Sequence, residues 1–166
     1  MATPARPQNL DFSQFYEREH LRLGRAIYLL TGDPDEAEDL VQEALARAFE
    51  RWDRVSRMAE PAGYVYRIAS NLHRRRRRLR GRFRPLAEWT GPRGADPADA
   101  VEDRIDLLAA LATLSHGQRE ALVLVEMFGL DAEGAARALG IEAVSVRVRL
   151  HRARSRLREV LGGTDV

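Results

Sequence analysis

Apolar residues recur every three or four positions along most of this chain, the spacing that lines side chains up on one face of an α-helix. Asp11 to Leu30 reads as a first helix, with Phe12, Phe15, Leu23, Ile27 and Leu30 near one face. It stops at Thr31-Gly32, where glycine is a natural C-terminal cap. Asp33 then caps a second helix, Pro34 takes its first position and Glu36 completes a capping box. That helix runs to about Trp52. Its stripe of Ala37, Leu40, Val41, Ala44, Leu45, Ala48, Phe49 and Trp52 holds for four turns, the strongest helix signal in the chain. Asp53 to Ala62 reads as a polar loop ending in Pro61. A third helix follows, with Tyr64, Val65, Ile68, Ala69 and Leu72 on one face, and its far end dissolves into a run of arginines. Three helices with complementary apolar faces make one small bundle.

Residues 81–103 lack this periodicity. Pro85, Gly91-Pro92, Gly94 and Pro97 mark an extended linker, with Leu86 and Trp89 as its only large apolar residues. The period returns at Arg104. Arg104 to Leu114 is a helix, and Ser115 caps the next with Gln118 as its capping-box partner. Leu122, Val123, Val125, Met127 and Phe128 give that helix a broad apolar surface, and Gly129 ends it. Asp131 caps a short alanine-rich helix, Ala132 to Leu139. Gly140 breaks the chain, and a last helix from about Ala143 to Leu161 carries the stripe Val146, Leu150, Ala153, Leu157 and Val160. The expected fold is all-α, with two small helical domains over 10–80 and 104–161 joined by the linker 81–103.

Composition removes several function classes. The chain has 166 residues, 45% hydrophobic and 31% charged, enough apolar content for packed cores in a soluble protein. No apolar run approaches the roughly 20 residues of a membrane span. Met1 to Asn9 holds no signal-peptide core, so a cytoplasmic location without membrane insertion is expected. There is no cysteine, which excludes disulfides, thiolate metal sites and a cysteine nucleophile. His20, His73, His116 and His151 show no ligand-like spacing, so no metal is expected. No catalytic constellation appears, and a lysine-bearing phosphate loop is impossible because all 27 basic residues are arginine. Neither an enzyme nor a cofactor is expected. Most of the arginine bias is assigned to GC-rich codons.

Charge is segregated far beyond what the net value of +2 conveys. Asp11 to Ala62 holds 12 acids against seven arginines. Gly63 to Arg84 holds nine arginines and no acid, among them the run Arg74 to Arg78. Ala143 to Arg158 holds six arginines, again with no acid. Two separated basic surfaces point to two contacts with a polyanion. So dense a run repels itself without an anionic partner, which argues against a merely solvated face. Beside it, Tyr64 and Tyr66 with Arg67 and Asn71 suit unpaired bases, although core packing is the competing reading and is favoured for Tyr64. In the second domain, a short helix, a glycine turn and a basic helix form a helix-turn-helix pattern. Ala135, Ala136 and Ala138 permit close helix approach, and the last helix turns Ser145, Arg147, Val148, Arg149, His151 and Arg152 outward to a major groove. The face with Asp35, Glu38, Asp39, Gln42, Glu43 and Glu50 has the opposite sign. Charge alone leaves it either solvated or a dock for a basic protein.

The string Asp33-Pro34-Asp35-Glu36-Ala37-Glu38-Asp39-Leu40-Val41-Gln42-Glu43-Ala44 resembles region 2 of bacterial extracytoplasmic-function sigma factors, and Pro61 to Leu72 is similar to the helix that follows it there. Leu114 to Leu124, Gly140-Ile141 and Val146-Arg147-Val148-Arg149-Leu150-His151-Arg152-Ala153-Arg154 resemble region 4 of that family. The stretch 28–33 and the arginine tract resemble its actinobacterial SigE-like branch, and the likeness runs in order over residues 10–161. It implies a factor that binds core RNA polymerase, directs it to promoters and helps open the DNA. Asp39, Leu40, Gln42 and Glu43 would dock on the clamp helices of the largest catalytic subunit, with the flap region a second polymerase contact. The 53–60 loop with Arg67, Asn71, Arg74 and Arg75 would meet the minus-ten element. Ser145, Arg147, Val148, His151 and Arg152 would meet the minus-thirty-five element. Two exposed basic surfaces also raise an anti-sigma protein as a masking partner. Val144, Ser70 and His73 depart from the residues usual in the family, which bears on promoter sequence and not on class. Two other readings compete: a helix-turn-helix regulator acting without polymerase, and an RNA-binding or nucleoid protein with sequence-indifferent, steeply salt-dependent affinity.

Overall fold

The computed structural model describes residues 11–80 and 106–162; the expected linker lies outside the described residues. Helix α1 spans Phe12–Thr31 and ends where Gly32, at φ 72°, donates its N–H to the Tyr28 carbonyl. That left-handed conformation is open to glycine without a Cβ clash. Helix α2 spans Pro34–Glu50, and the Asp33 carboxylate accepts from the amides of Asp35 and Glu36. The cap is as expected, but the capping box is not. The Glu36 carboxylate leaves the helix end and accepts from His73 Nδ1 at 3.2 Å. The partner lies 37 residues on, beyond the reach of a local pattern.

The helix also stops earlier than the stripe predicts. A one-turn helix, α3 over Trp52–Val55, replaces the first part of the expected polar loop, and it forms because Val55 is fully buried. Helix α4 spans Pro61–Arg80, so the arginine run is helical throughout. The described part of α5 covers 106–112. Then come α6, His116–Phe128, α7, Ala132–Leu139, and α8, Ala143–Leu161. Ser115 and Gln118 form the reciprocal capping box, and Asp131 caps α7 through the Gly134 amide. No strand occurs among the described residues.

Helices α1, α2 and α4 pack around Leu23, Ile27, Leu30, Leu40, Leu45 and Val65, and α6, α7 and α8 around Leu124, Ala135, Val146 and Ala153. The two bundles do not stand apart. Helix α6 lies on α1 and α4, α7 lies on α4, and one continuous apolar core runs through both. The two bundles come close at Gly63, where a methyl group would meet Ala138 and Leu130 at ordinary contact distance.

Candidate functional site

Three surfaces and one buried seam carry the candidate chemistry. The first surface is the outer face of α2. Asp35, Glu38, Asp39, Gln42 and Glu50 are exposed, and Glu43 is half-buried. Gln42 Nε2 donates to the Tyr16 hydroxyl at 3.4 Å, while Glu43 holds Arg47 at 2.7 Å and Arg76 at 3.2 Å. Leu40 differs from expectation: it is fully buried and offers no side chain to a partner. Its place is in the core, where it fixes the angle at which its polar neighbours project. Phe49, expected in the core stripe, is 61% exposed and packs on Phe12 with ring centroids 4.8 Å apart.

The second surface belongs to α4. Arg67, Asn71 and Arg75 are exposed on it, and Arg74 is half-buried. Tyr66 belongs to the core and not to a base-stacking surface. It is completely buried against Phe128 and cannot stack on a base, whereas Tyr64 is only half-buried. The reason is that α4 is covered twice, by its own bundle and by α6, so a residue that looks lateral within one bundle becomes central. The anionic partners that the arginine run demands also come from within the chain: Glu43 for Arg76 and Glu120 for Arg74.

The third surface is the helix-turn-helix. Gly140 turns the chain at φ 67°, and Ala135, Ala136 and Ala138 of α7 are buried, Ala138 against Gly63 of α4. Ser145, Arg147, Val148, His151 and Arg152 all project from α8 into solvent, together with Val144. Arg147 pairs with Glu133 of α7, which fixes its direction. Arg154 pairs with Glu126 at 2.9 Å and Arg156 with Glu159 at 3.2 Å. His151 and Arg152 have no such partner among the described residues. Arg149, read as outward-facing, instead lies over Gly117 at the start of α6.

The seam joins α4 to α6. The Glu120 carboxylate, 1% exposed, accepts from the Ser70 hydroxyl, binds Arg74 Nη2 at 2.7 Å and lies 3.3 Å from His116 Nε2. Burial alone would raise its pKa, but His116, Ser70 and Arg74 together outweigh burial and hold it at about 2. Burial pushes His116 below its ordinary value, against the pull of Glu120. His73, tied to Glu36, stacks on His116 with ring centroids 5.6 Å apart. Burial and the Glu120 charge raise the Tyr66 phenol well above its usual range. Beside Glu120, buried Arg119 donates to the Leu30 carbonyl at 2.9 Å, and at the far end of α6 Arg22 sits over the Phe128 ring at 4.7 Å. Nothing in the local periodicity foretells this seam. The one usable signal was an acid within the apolar surface of α6, because a buried carboxylate demands cationic partners.

No group of histidine and acidic side chains among the described residues is arranged to hold a metal ion. No helix among them is long and apolar enough to cross a membrane.

Comparison with known proteins agrees with this layout. The family described as Sigma-70 region 2 matches residues 15–83, and Sigma-70, region 4 matches residues 104–157. The RNA polymerase sigma-E factor of Streptomyces avermitilis is 32% identical over 158 residues, covering 95% of this chain and 88% of that one. The ECF RNA polymerase sigma factor SigE of Mycolicibacterium smegmatis is 35% identical over 156 residues, 87% of this chain and 59% of that protein. Among solved structures, the sigma factor RpoE of Bartonella quintana, in complex with the anti-sigma factor NepR, superposes with a TM-score of 0.77 at 29% identity, over 93% of this chain and 99% of that one.

Proposed function

Because the chain belongs to the sigma-70 family of RNA polymerase sigma factors, in its extracytoplasmic-function group, we propose that its three surfaces divide the work of transcription initiation among themselves. The acidic face of α2, with Asp39, Gln42 and Glu43, docks on the clamp helices of core polymerase, and the flap region takes a second contact. Arg67, Asn71, Arg74 and Arg75 grip the minus-ten element, with the backbone held by guanidinium groups and unpaired bases met by the amide. Helix α8 reads the minus-thirty-five element in the major groove. Ser145, Val148 and Arg152 fall at spacings of three and four on one exposed face, the geometry of a recognition helix. Val144 and Val148 offer methyl groups suited to thymine, and Arg152 offers a bidentate fork suited to guanine. The protein acts in the cytoplasm as an initiation factor and not as an enzyme.

The observation that carries this reading is the coexistence of an acidic protein-docking face with two basic faces on one small helical scaffold. A polymerase-independent regulator needs only the basic faces. The minus-thirty-five assignment is tested with Arg152→Ala. Binding of the reconstituted holoenzyme to its promoter should weaken by about 1–3 kcal/mol, with the loss confined to the base pair that Arg152 reads. A uniform loss over every sequence tried would make Arg152 a phosphate contact instead.

A further inference from the structure

The α4–α6 seam uses residues that the promoter-reading role also claims. Arg74 is bound by Glu120, and Arg67 lies so close to the helix-turn-helix turn that a methyl group on Gly140 would come within 2.7 Å of its guanidinium. Both minus-ten residues are therefore pressed against the unit that reads the minus-thirty-five element. The names of those elements place them about 25 base pairs apart, or roughly 85 Å of duplex at 3.4 Å per pair. Two small units in direct contact cannot span that distance. The conformation described here can serve one element at a time, and serving both requires the seam to open.

The chemistry of the seam fits an interface made to part. It is built on a buried carboxylate with cationic and hydroxyl partners, not on apolar contact alone. Removing one partner of a buried ion pair strands the other charge and is strongly destabilising, so the seam holds only while its partners stay together. The Tyr66 hydroxyl, Arg74 Nε, His116 Nδ1 and Arg119 Nε are all buried there without a hydrogen-bond partner among the described residues. Such groups penalise the closed form and are released from that penalty once water reaches them.

We propose that Glu120 is an internal lock: its carboxylate takes the place of a DNA phosphate on Arg74 and, with Ser70, keeps the free chain closed until nucleic acid competes for the same arginine. The lock rests on the minus-ten role of Arg74, but the closed state itself is measured without DNA or polymerase. The chain lacks cysteine, so Glu50→Cys on α2 and Arg137→Cys on α7, both exposed, give unique sites for a fluorescent donor and acceptor, one on each unit. The labelled full-length chain alone should show a single population of fixed transfer efficiency. Glu120→Gln, from the region 4 side, and Ser70→Asp, from the region 2 side, should each shift the closed-to-open ratio at least tenfold toward low transfer, with helical circular dichroism retained. Double-stranded DNA of arbitrary sequence at low salt should move the unsubstituted chain the same way. Three results would overturn the lock: transfer unchanged in both variants, a broad low-transfer distribution before any substitution, or loss of helical signal in both variants, which would make the cluster part of the fold and not a latch.

Discussion

Replacing Asp39 and Glu43 together by arginine is expected to abolish co-purification with core RNA polymerase while leaving the helical circular dichroism intact. Asp39 is exposed, so its reversal disturbs no packing. Glu43 is half-buried and holds Arg47 and Arg76, so its reversal loses two partly exposed ion pairs and sets three guanidinium groups together. Exposed pairs of this kind contribute about 0–1 kcal/mol each, a loss the bundle tolerates because its core residues are untouched. The docking face changes by four charge units. Loss of a close charge pair across an interface costs about 2–5 kcal/mol, at least roughly thirtyfold in affinity, and repulsion adds to that. The neutral pair Asp39→Asn with Glu43→Gln should bind with intermediate strength. Full retention of the charge-reversed protein on polymerase would remove α2 as the docking face.

Acid is expected to take the two bundles apart through Glu120. Its carboxyl sits at about 2 against an ordinary 4.5, so the folded state favours the ionised form. A depressed carboxyl contributes stability that is complete above about pH 4.5 and is lost as pH falls through the folded value. The difference of about 2.5 units corresponds to roughly 3 kcal/mol at neutral pH. His116 acts in the same direction at a higher window: burial disfavours its charged form, so stability begins to fall as pH drops below about 6.5. Glu36, held below its ordinary value mainly by its hydrogen bond from His73, adds to the carboxylate window. Urea midpoints of the unsubstituted chain and of Glu120→Gln, taken from pH 7 to pH 2, read this out. The gap between them should be about 3 kcal/mol at pH 7 and close toward zero near pH 2. A gap that does not change with pH would show that Glu120 contributes through shape and not through its charge.

The helices were legible because each is an amphipathic stripe bounded by a local stop or start. Gly32, Ser115 with Gln118, Asp131 and Gly140 all act where the chain places them. What escaped was set by partners distant in sequence. Glu36 has a plausible local role in a capping box, and His73 takes it instead. Tyr66 and Leu40 sit on helices whose polar faces invite a functional reading, yet both are fully buried. Phe49 follows buried Ala48 by one position, a rotation of about 100° that carries its ring out of the core. The exposed residues of α8 were readable because recognition helices are solvated on the side away from their own core. The Glu120 cluster was not, since its members lie some 50 residues apart and meet only after both bundles have formed and docked.

This chain is expected to convert core RNA polymerase into a promoter-specific enzyme. Run-off transcription with holoenzyme reconstituted from this chain, on a library of genomic fragments, decides it. Discrete transcripts are expected that start downstream of a shared pair of elements, vanish with Asp39→Arg/Glu43→Arg, and are absent when core polymerase is used alone. Specific DNA binding by the chain without polymerase, together with no promoter-specific transcript from the holoenzyme, would contradict it and leave a helix-turn-helix regulator in its place.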